Sequence, residues 1–450
     1  MLNEVPAGWR IVRLADVLSE PLVNGRSLRP GEGGLPVLRM TALRAATVDF
    51  TQSKSSDRSD DGRVILLAEH GDVLVGRVNG SHSLVGEGAL VAGPPAPTAI
   101  PDTMIRVRVR PDALDPRYLA HLWKSPVMRR QIEARARQGG AAIWRINQRD
   151  LADVLLPLPP VVEQRRIVGL LEDHLARIDA TTIRTNGALG QADVLSRTLT
   201  ARAGRGALAE AARIPADLPR VSGVGDGTLP GLPERWRWTR LDDVAEVTRG
   251  ITPPGKQEWN PADVDISCLR VANVQRGRLD LDDVRTIRLP PPRAQAARLR
   301  AGDVLLTGGG SSESLGRGWI WEEQLPHCVP HSHLFRVRIT AHQLHPVLLA
   351  WHANGFGGQW CKHNANQTVG PASISLTRIR LMPVPVAPVD EQRHLVAVVQ
   401  AHTTALNSAS AAAERALVVA GRLRRNLLER AFTGHLSSPL SPSGQQESVL

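Results

Sequence analysis

The sequence predicts an α+β fold in which two mixed α/β domains are each followed by a long helix, so that the chain is an internal pseudo-two-fold repeat of one module. Three observations predict it. One series of motifs occurs twice along the 450 residues, in the same order and displaced by 227–231 positions. Within each copy, short apolar runs broken by Gly and Pro read as strands, and they give way to a segment whose apolar residues recur near every 3.5 positions. A proline-rich string marks that change in both copies.

In chain order, PAGWRIVRLADV (6–17) returns as PERWRWTRLDDV (233–244), and VLRM (37–40) returns as CLRV (268–271). GDVL stands at 71–74 and again at 302–305, and IRVRV (105–109) answers FRVRI (335–339). A period this long excludes a solenoid and indicates a duplicated module. The first part of each copy, 1–160 and 233–388, contains the strands GDVLVG, ALVAG, MIRVRVR and LFRVRI. LDPRYLAHLWKSPVMRRQIEARA (114–136) and its counterpart LHPVLLAWHANGFGGQWC (344–361) read as a helix or helix pair.

The second part opens with PLPPVVEQRRIV (157–168) and PVPVAPVDEQRHLV (383–396), 228 positions apart from EQR onward. Proline disfavours helix upstream, so the helices are expected to begin at Glu163 and Glu391, where an acid in the first turn suits the helix dipole. They are expected to occupy 161–213 and 389–436. Ile167, Leu171, Ile178, Leu189, Leu195 and Leu199 form a narrow seam in the first, and Leu395, Val399, Leu406, Leu417, Leu423 and Leu427 repeat it in the second. Such a seam requires a partner helix, and two equal helices in one chain are each other's obvious partner. His174 and His402 fall at equivalent seam positions and read as polar register-setters. The Pro- and Gly-rich stretch 214–232 reads as a linker between the copies, and 437–450 as a disordered tail.

The net charge is +11, from 55 basic and 44 acidic residues. Only Lys54, Lys124, Lys256 and Lys362 are lysines. The excess concentrates in the two α/β regions, +4 over 1–160 and +5 over 233–388. A polyanionic partner suits this distribution, although a GC-rich coding bias also enriches arginine. No apolar stretch reaches the ~18 residues of a membrane span, and the start lacks the pattern of a signal peptide. Cys268, Cys328 and Cys361 form no C-x-x-C pair and fit a reducing cytoplasm. There is no Walker loop, no F-x-G-x-G and no Asp/Asn/Ser-Pro-Pro-Tyr/Phe, the nearest string being NPAD (260–263). Neither a catalytic residue nor a resident cofactor is assigned.

Three regions could meet nucleic acid. Arg77, Asn79, Ser81 and His82 follow a strand, in a loop with Gly76 and Gly80; arginine suits guanine and asparagine suits adenine, while the alternative is a tight turn with a solvated Arg. The matching loop 308–318 offers Ser311, Ser312, Glu313 and Arg317, either to DNA or as a bare hairpin. Arg145 and Asn147, with Asn366 and Gln367, precede the two helix-opening motifs and could touch DNA or cap turns. His327, Cys328, His331 and His333 are dense enough to suggest zinc, but no second cluster completes a set, so no metal site is assigned.

The order of domain, helix, domain, helix resembles the specificity subunits of type I restriction–modification systems over nearly the whole chain. The two EQR strings open the helices, LLERAFTGHL (427–436) closes the second, and LTARAGRGAL (199–208) is its degraded equivalent in the first. GDVLVGRVNGSHSLVGEGALV (71–91) is similar to the family's GD-hydrophobic–R-x-N-G segment; GDVLLTGGGSSESLGRGWIW in the second copy lacks the R-x-N-G. The resemblance implies two target-recognition domains carried on two long antiparallel coiled-coil helices. It implies a bipartite double-stranded DNA target, read as two different half-sites. Two methyltransferase subunits and the restriction–translocase subunits would be partners, and S-adenosylmethionine, ATP and Mg would sit on them. Two other readings are an enzyme with unrecognised catalytic residues and a scaffold whose duplicated heads bind protein.

Overall fold

The computed structural model describes residues 5–57, 65–93, 96–140, 143–208, 212–253, 260–340, 343–366 and 372–436; the tail 437–450 lies outside the described residues. The chain divides into two compact units, one formed up to Asn186 and from Glu414 onward, the other by Gly187–Ala413. Each unit therefore holds one α/β head together with part of both long helices.

The first unit is built on a four-stranded antiparallel sheet in the order Val23–Asn24, Met104–Val107, Val73–Gly76, Gly88–Leu90. Val73, Leu74, Val75, Ile105 and Val107 are completely buried. Two helices, Pro116–Trp123 and Pro126–Arg135, follow; Asp115 and Ser125 cap them, and a proline occupies the first turn of each. Tyr118, Trp123 and Ile132 from these helices share one core with Ile167 and Leu171 of the first long helix (Val161–Ala203) and Leu428, Ala431 and Phe432 of the second (Val389–Phe432). The Tyr118 ring meets Phe432 edge-on at 5.2 Å, and its hydroxyl donates to the Pro157 carbonyl at 2.9 Å. Further along, Asp179 pairs with Arg424. Ascending numbers in one helix thus meet descending numbers in the other, and the pair is antiparallel.

The second unit repeats this plan. Its sheet runs Ala245–Arg249, Leu334–Ile339, Val304–Thr307, Gly318–Ile320, again wholly antiparallel. The helix Pro346–His352 begins with His345 as its cap. Here Leu199 and Ala203 of the first long helix pack with Leu395, Val396 and Val399 of the second against the head.

The repeated motifs have physical reasons. In each EQR string the glutamine is the buried residue: Gln164 is 0% exposed and Gln392 is 2% exposed. The Gln164 side chain accepts from Asp115 N at 2.8 Å and donates to the Ala113 and Pro159 carbonyls at 3.0 and 2.8 Å. Gln392 accepts from His345 N and donates to the Gln343 and Ala387 carbonyls. The aspartates of the GDVL strings are buried as well: Asp72 takes a two-pronged bond from Arg108, and Asp303 from Arg338. The arginines of IRVRV and FRVRI are thus internal ion-pair partners rather than surface cations. Both helix-closing motifs end on a left-handed glycine, Gly206 (φ +65°) and Gly434 (φ +80°). The next amide closes back onto the helix, Ala207 N to Arg202 O at 2.7 Å and His435 N to Arg430 O at 2.9 Å. A Cβ on Gly206 would come within 3.0 Å of the Trp236 ring, and one on Gly434 within 1.9 Å of Pro6 Cγ.

Several expectations need correction. The first long helix stops at Ala203, before 213, because the Gly206 cap ends it. The helices start at Val161 and Val389, where the expected spans begin and two residues ahead of the glutamates, because the carbonyls of Pro160 and Pro388 accept the first helical bonds. The seam is closed only where a head covers it: Leu195 is 54% and Leu423 47% exposed, and His174 and His402 are exposed. The stretch 214–232 is no free linker but a strap on the second unit. Arg213–Ile214 pairs with Leu232–Pro233, while Leu218 and Leu229 pack on Trp236 and Trp238. Asp226 receives both arms of Arg240 at 2.8 Å, which hold its carboxyl below the usual range. No described helix is long and apolar enough to cross a membrane.

Replacing Gln164 by Ala would strand one amide and two carbonyls in the interior. At ~1–3 kcal/mol for each buried group left unsatisfied, the three groups together should cost the first unit at least ~3 kcal/mol. Urea unfolding followed by tryptophan fluorescence measures it; a loss under ~1 kcal/mol would show that the amide holds nothing in place.

Candidate nucleic-acid interface

In the first unit, the strand Val78–Asn79 pairs antiparallel with Trp144–Arg145, which pairs in turn with Arg137–Gln138. This small sheet joins two regions that are far apart in the sequence, 77–82 and 144–147, into one surface. Its side chains fall into two groups. Some shape the loop: Asn79 Oδ1 accepts from Ser81 N at 2.9 Å, and the Ser81 and Ser83 hydroxyls are 3.0 Å apart. His82 lies 4.1 Å from the Trp144 ring, with Nε2 3.0 Å from the Glu133 carbonyl. Asn147 Oδ1 accepts from Asp150 N at 2.8 Å and caps the short helix Gln148–Ala152. Others present donors outward: Arg145 is exposed, and Arg77 is half-buried with one guanidinium nitrogen 3.4 Å from the Asp102 carbonyl. The structure adds Arg137, whose side chain is 79% exposed, and the exposed Arg149. Neither stands out in the sequence, where both are arginines among many.

The second unit makes the equivalent junction. Gly309–Gly310 pairs with Ala372–Ser373, and Asn366 N donates to Ser373 O at 2.8 Å. Ser311, Ser312 and Asn366, all exposed, are thereby brought to one surface. The turn is tight: the Ser311 carbonyl accepts from Ser314 N at 2.9 Å and Ser314 Oγ at 2.8 Å. Glu313 is exposed and its carbonyl accepts from Arg276 at 3.0 Å. Arg317 lies beneath the loop instead of on it: it donates to the Val271 carbonyl at 3.0 Å, and its Nε is buried without a partner. Burial and the neighbouring Arg276 lower its pKa. Gln367 lies outside the described residues.

Among the described residues, no group of three His, Cys, Asp or Glu stands where it could hold a metal ion. His331 and His333 share a face, with rings stacked at 5.4 Å. Cys328 is buried in the parallel ladder beside Cys268, and burial pushes its thiol up to about 12.

No family model matches the chain. Among proteins of known role, it is 32% identical over 207 residues to the EcoKI type I restriction enzyme specificity subunit of Escherichia coli K12, a match covering 44% of this chain and 43% of that protein. It is 23% identical over 447 residues to the StySPI specificity subunit of Salmonella potsdam, covering 97% of this chain and 91% of the relative. Along nearly its whole length the chain is similar to type I restriction–modification specificity subunits. Solved structures carry the same fold. A chain from a study of complex assembly and conformational transition in a type I restriction–modification system superposes with a TM-score of 0.71 at 22% identity, covering 96% of this chain and all of that one. The HsdS subunit of Thermoanaerobacter tengcongensis gives 0.56 at 20% identity, covering 97% and 99%. The match to the EcoKI subunit spans less than half of that specificity subunit's own length.

The two groups of side chains should separate experimentally. Asn147→Ala removes a helix cap and should destabilise the first unit by ~1 kcal/mol. Arg145→Ala, at an exposed position, should leave stability within about 0.5 kcal/mol of the parent. Equal losses in chemical denaturation would contradict this division.

Proposed function

We propose that this chain is a specificity subunit, a non-catalytic, cytoplasmic reader of a bipartite, asymmetric double-stranded DNA sequence. In this reading it directs methyltransferase subunits and restriction–translocase subunits to that sequence. The observation that carries it is the shared junction: in each head a strand after the GDVL strand pairs with the segment before the helix-opening motif. One backbone arrangement presents two different sets of side chains. The first offers Arg77, Arg145, Arg137 and Arg149 around a loop ordered by Asn79, Ser81 and His82; the second offers Ser311, Ser312 and Asn366 from a glycine turn. Guanidinium forks suit guanine edges and phosphates, whereas hydroxyl and amide groups suit other base edges, so two unlike surfaces favour two unlike half-sites. S-adenosylmethionine, ATP and Mg belong to the partner subunits.

Duplex DNA binding by the chain with its methyltransferase partner tests this reading. Affinity should fall steeply between 50 and 200 mM salt, as neutralised phosphates regain their counterions. Methylated adenines mapped across the genome should disappear from one split sequence when the gene is removed. No DNA binding, together with an unchanged methylation map, would favour the scaffold reading.

A further inference from the structure

Next to the second reading surface lies a pocket of about 220 Å³ lined by three arginines, Arg249, Arg293 and Arg336, with Ala296, Ala297 and Pro330 among its walls. The sheet register places two of them: Arg249 ends its strand, and Arg336 stands on the adjacent strand opposite Thr248. Arg293 comes from the short helix Pro291–Ala297.

Compensation of this charge is incomplete. The Arg336 side chain is 8% exposed, and its Nε is buried without a hydrogen-bond partner. Its other contacts are the Ala296 and Arg298 carbonyls at 3.2 and 3.4 Å, and the half-exposed Glu246 at 3.6 Å. Arg293 donates to the Thr252 carbonyl at 3.0 Å, and Arg249 stands 5.8 Å over the Phe335 ring. Among the described residues neither Arg249 nor Arg293 has an ion-pair partner. The first unit treats its equivalent differently: Arg106 contacts Glu20 directly, and Glu20 also takes Arg108 at 2.8 Å. There the buried guanidinium has a carboxylate in direct contact, although its Nε, like that of Arg336, has no hydrogen-bond partner.

A hollow bordered by three guanidiniums, one of them buried with an unused N–H, matches the charge and the several acceptor oxygens of a tetrahedral oxyanion. We propose that this pocket binds a phosphate group. Its position favours a phosphate of the DNA backbone. Arg249 lies over Phe335, and Phe335 packs against Gly308 so closely that a Cβ there would be 2.5 Å from the ring. His333 approaches Gly309 in the same way, at 2.9 Å. The pocket therefore adjoins the base of the reading loop, and a phosphate held in it would fix the register of that head on a duplex. This choice of source rests on the proposed function; the phosphate site itself does not.

The test uses the full-length chain and the double variant Arg249→Gln/Arg293→Gln, both exposed positions whose midpoint in chloride should match the parent. In the first arm, thermal unfolding compares sodium phosphate with sodium chloride at matched ionic strength. The parent should gain a phosphate-specific rise in midpoint that the variant lacks. In the second arm, affinity for a duplex is followed from 50 to 200 mM salt. If the pocket takes a backbone phosphate, the log–log salt slope of the variant should be shallower by about 1. A phosphate-specific rise with an unchanged slope would support the pocket and assign it to free phosphate. The absence of any phosphate-specific rise, together with an unchanged slope, would overturn the proposal. A parent chain that binds no duplex would sink the DNA reading and leave the first arm to decide the pocket.

Discussion

A buried glutamine amide fixes the start of each long helix to its head. Gln164 and Gln392 each satisfy one backbone N–H and two carbonyls, drawn from the loop before the head's helices and from the turn that opens the long helix. Only an amide does this, since it carries acceptor and donors in one plane; a carboxylate would meet two carbonyls without a proton to offer. The strings of strand, proline and helix that recur in both copies follow from keeping that amide in place.

The other end of each helix is set by shape. Gly206 ends the first long helix against Trp236, and Gly434 ends the second against Pro6, in spaces where a side chain would collide. Each head is consequently held by the start of one helix and the end of the other. That explains why the compact units do not follow the chain order of the repeat. It also explains why apolar positions such as Leu195 and Leu423 stay open: a head buries the helices only near these seats, and a two-helix pair covers one narrow stripe between them.

Much of this was legible in the sequence, because duplication supplies its own control. A strand or helix read in one copy is checked by its partner at a constant displacement, as GDVL and EQR show. What was not legible depends on partners distant in the chain. Charge alone does not reveal that Arg108 and Arg338 lock onto buried aspartates, or that the strap 214–232 is anchored by Asp226 and the tryptophans beneath it. The candidate surface was half legible. The sequence marks the loop residues and the residues before the helices as separate segments, but the ladder that unites them pairs Asn79 with Trp144, far along the chain. Arg317 reads as a loop cation, yet a half-buried position and the Val271 carbonyl turn it inward. Arg137 and Arg149 carry no periodic or motif signal at all.

Separate cores and equivalent junctions imply that each head can read its own part of a target without the other. The most direct measurement is a head exchange. Residues 1–155 are replaced by the corresponding head of a relative with a known target, and methylated adenines are then mapped in cells carrying the hybrid and its methyltransferase partner. Independent reading predicts a new sequence in one half of the target and the original sequence in the other. A hybrid that methylates with both halves changed, or with neither changed, would contradict it.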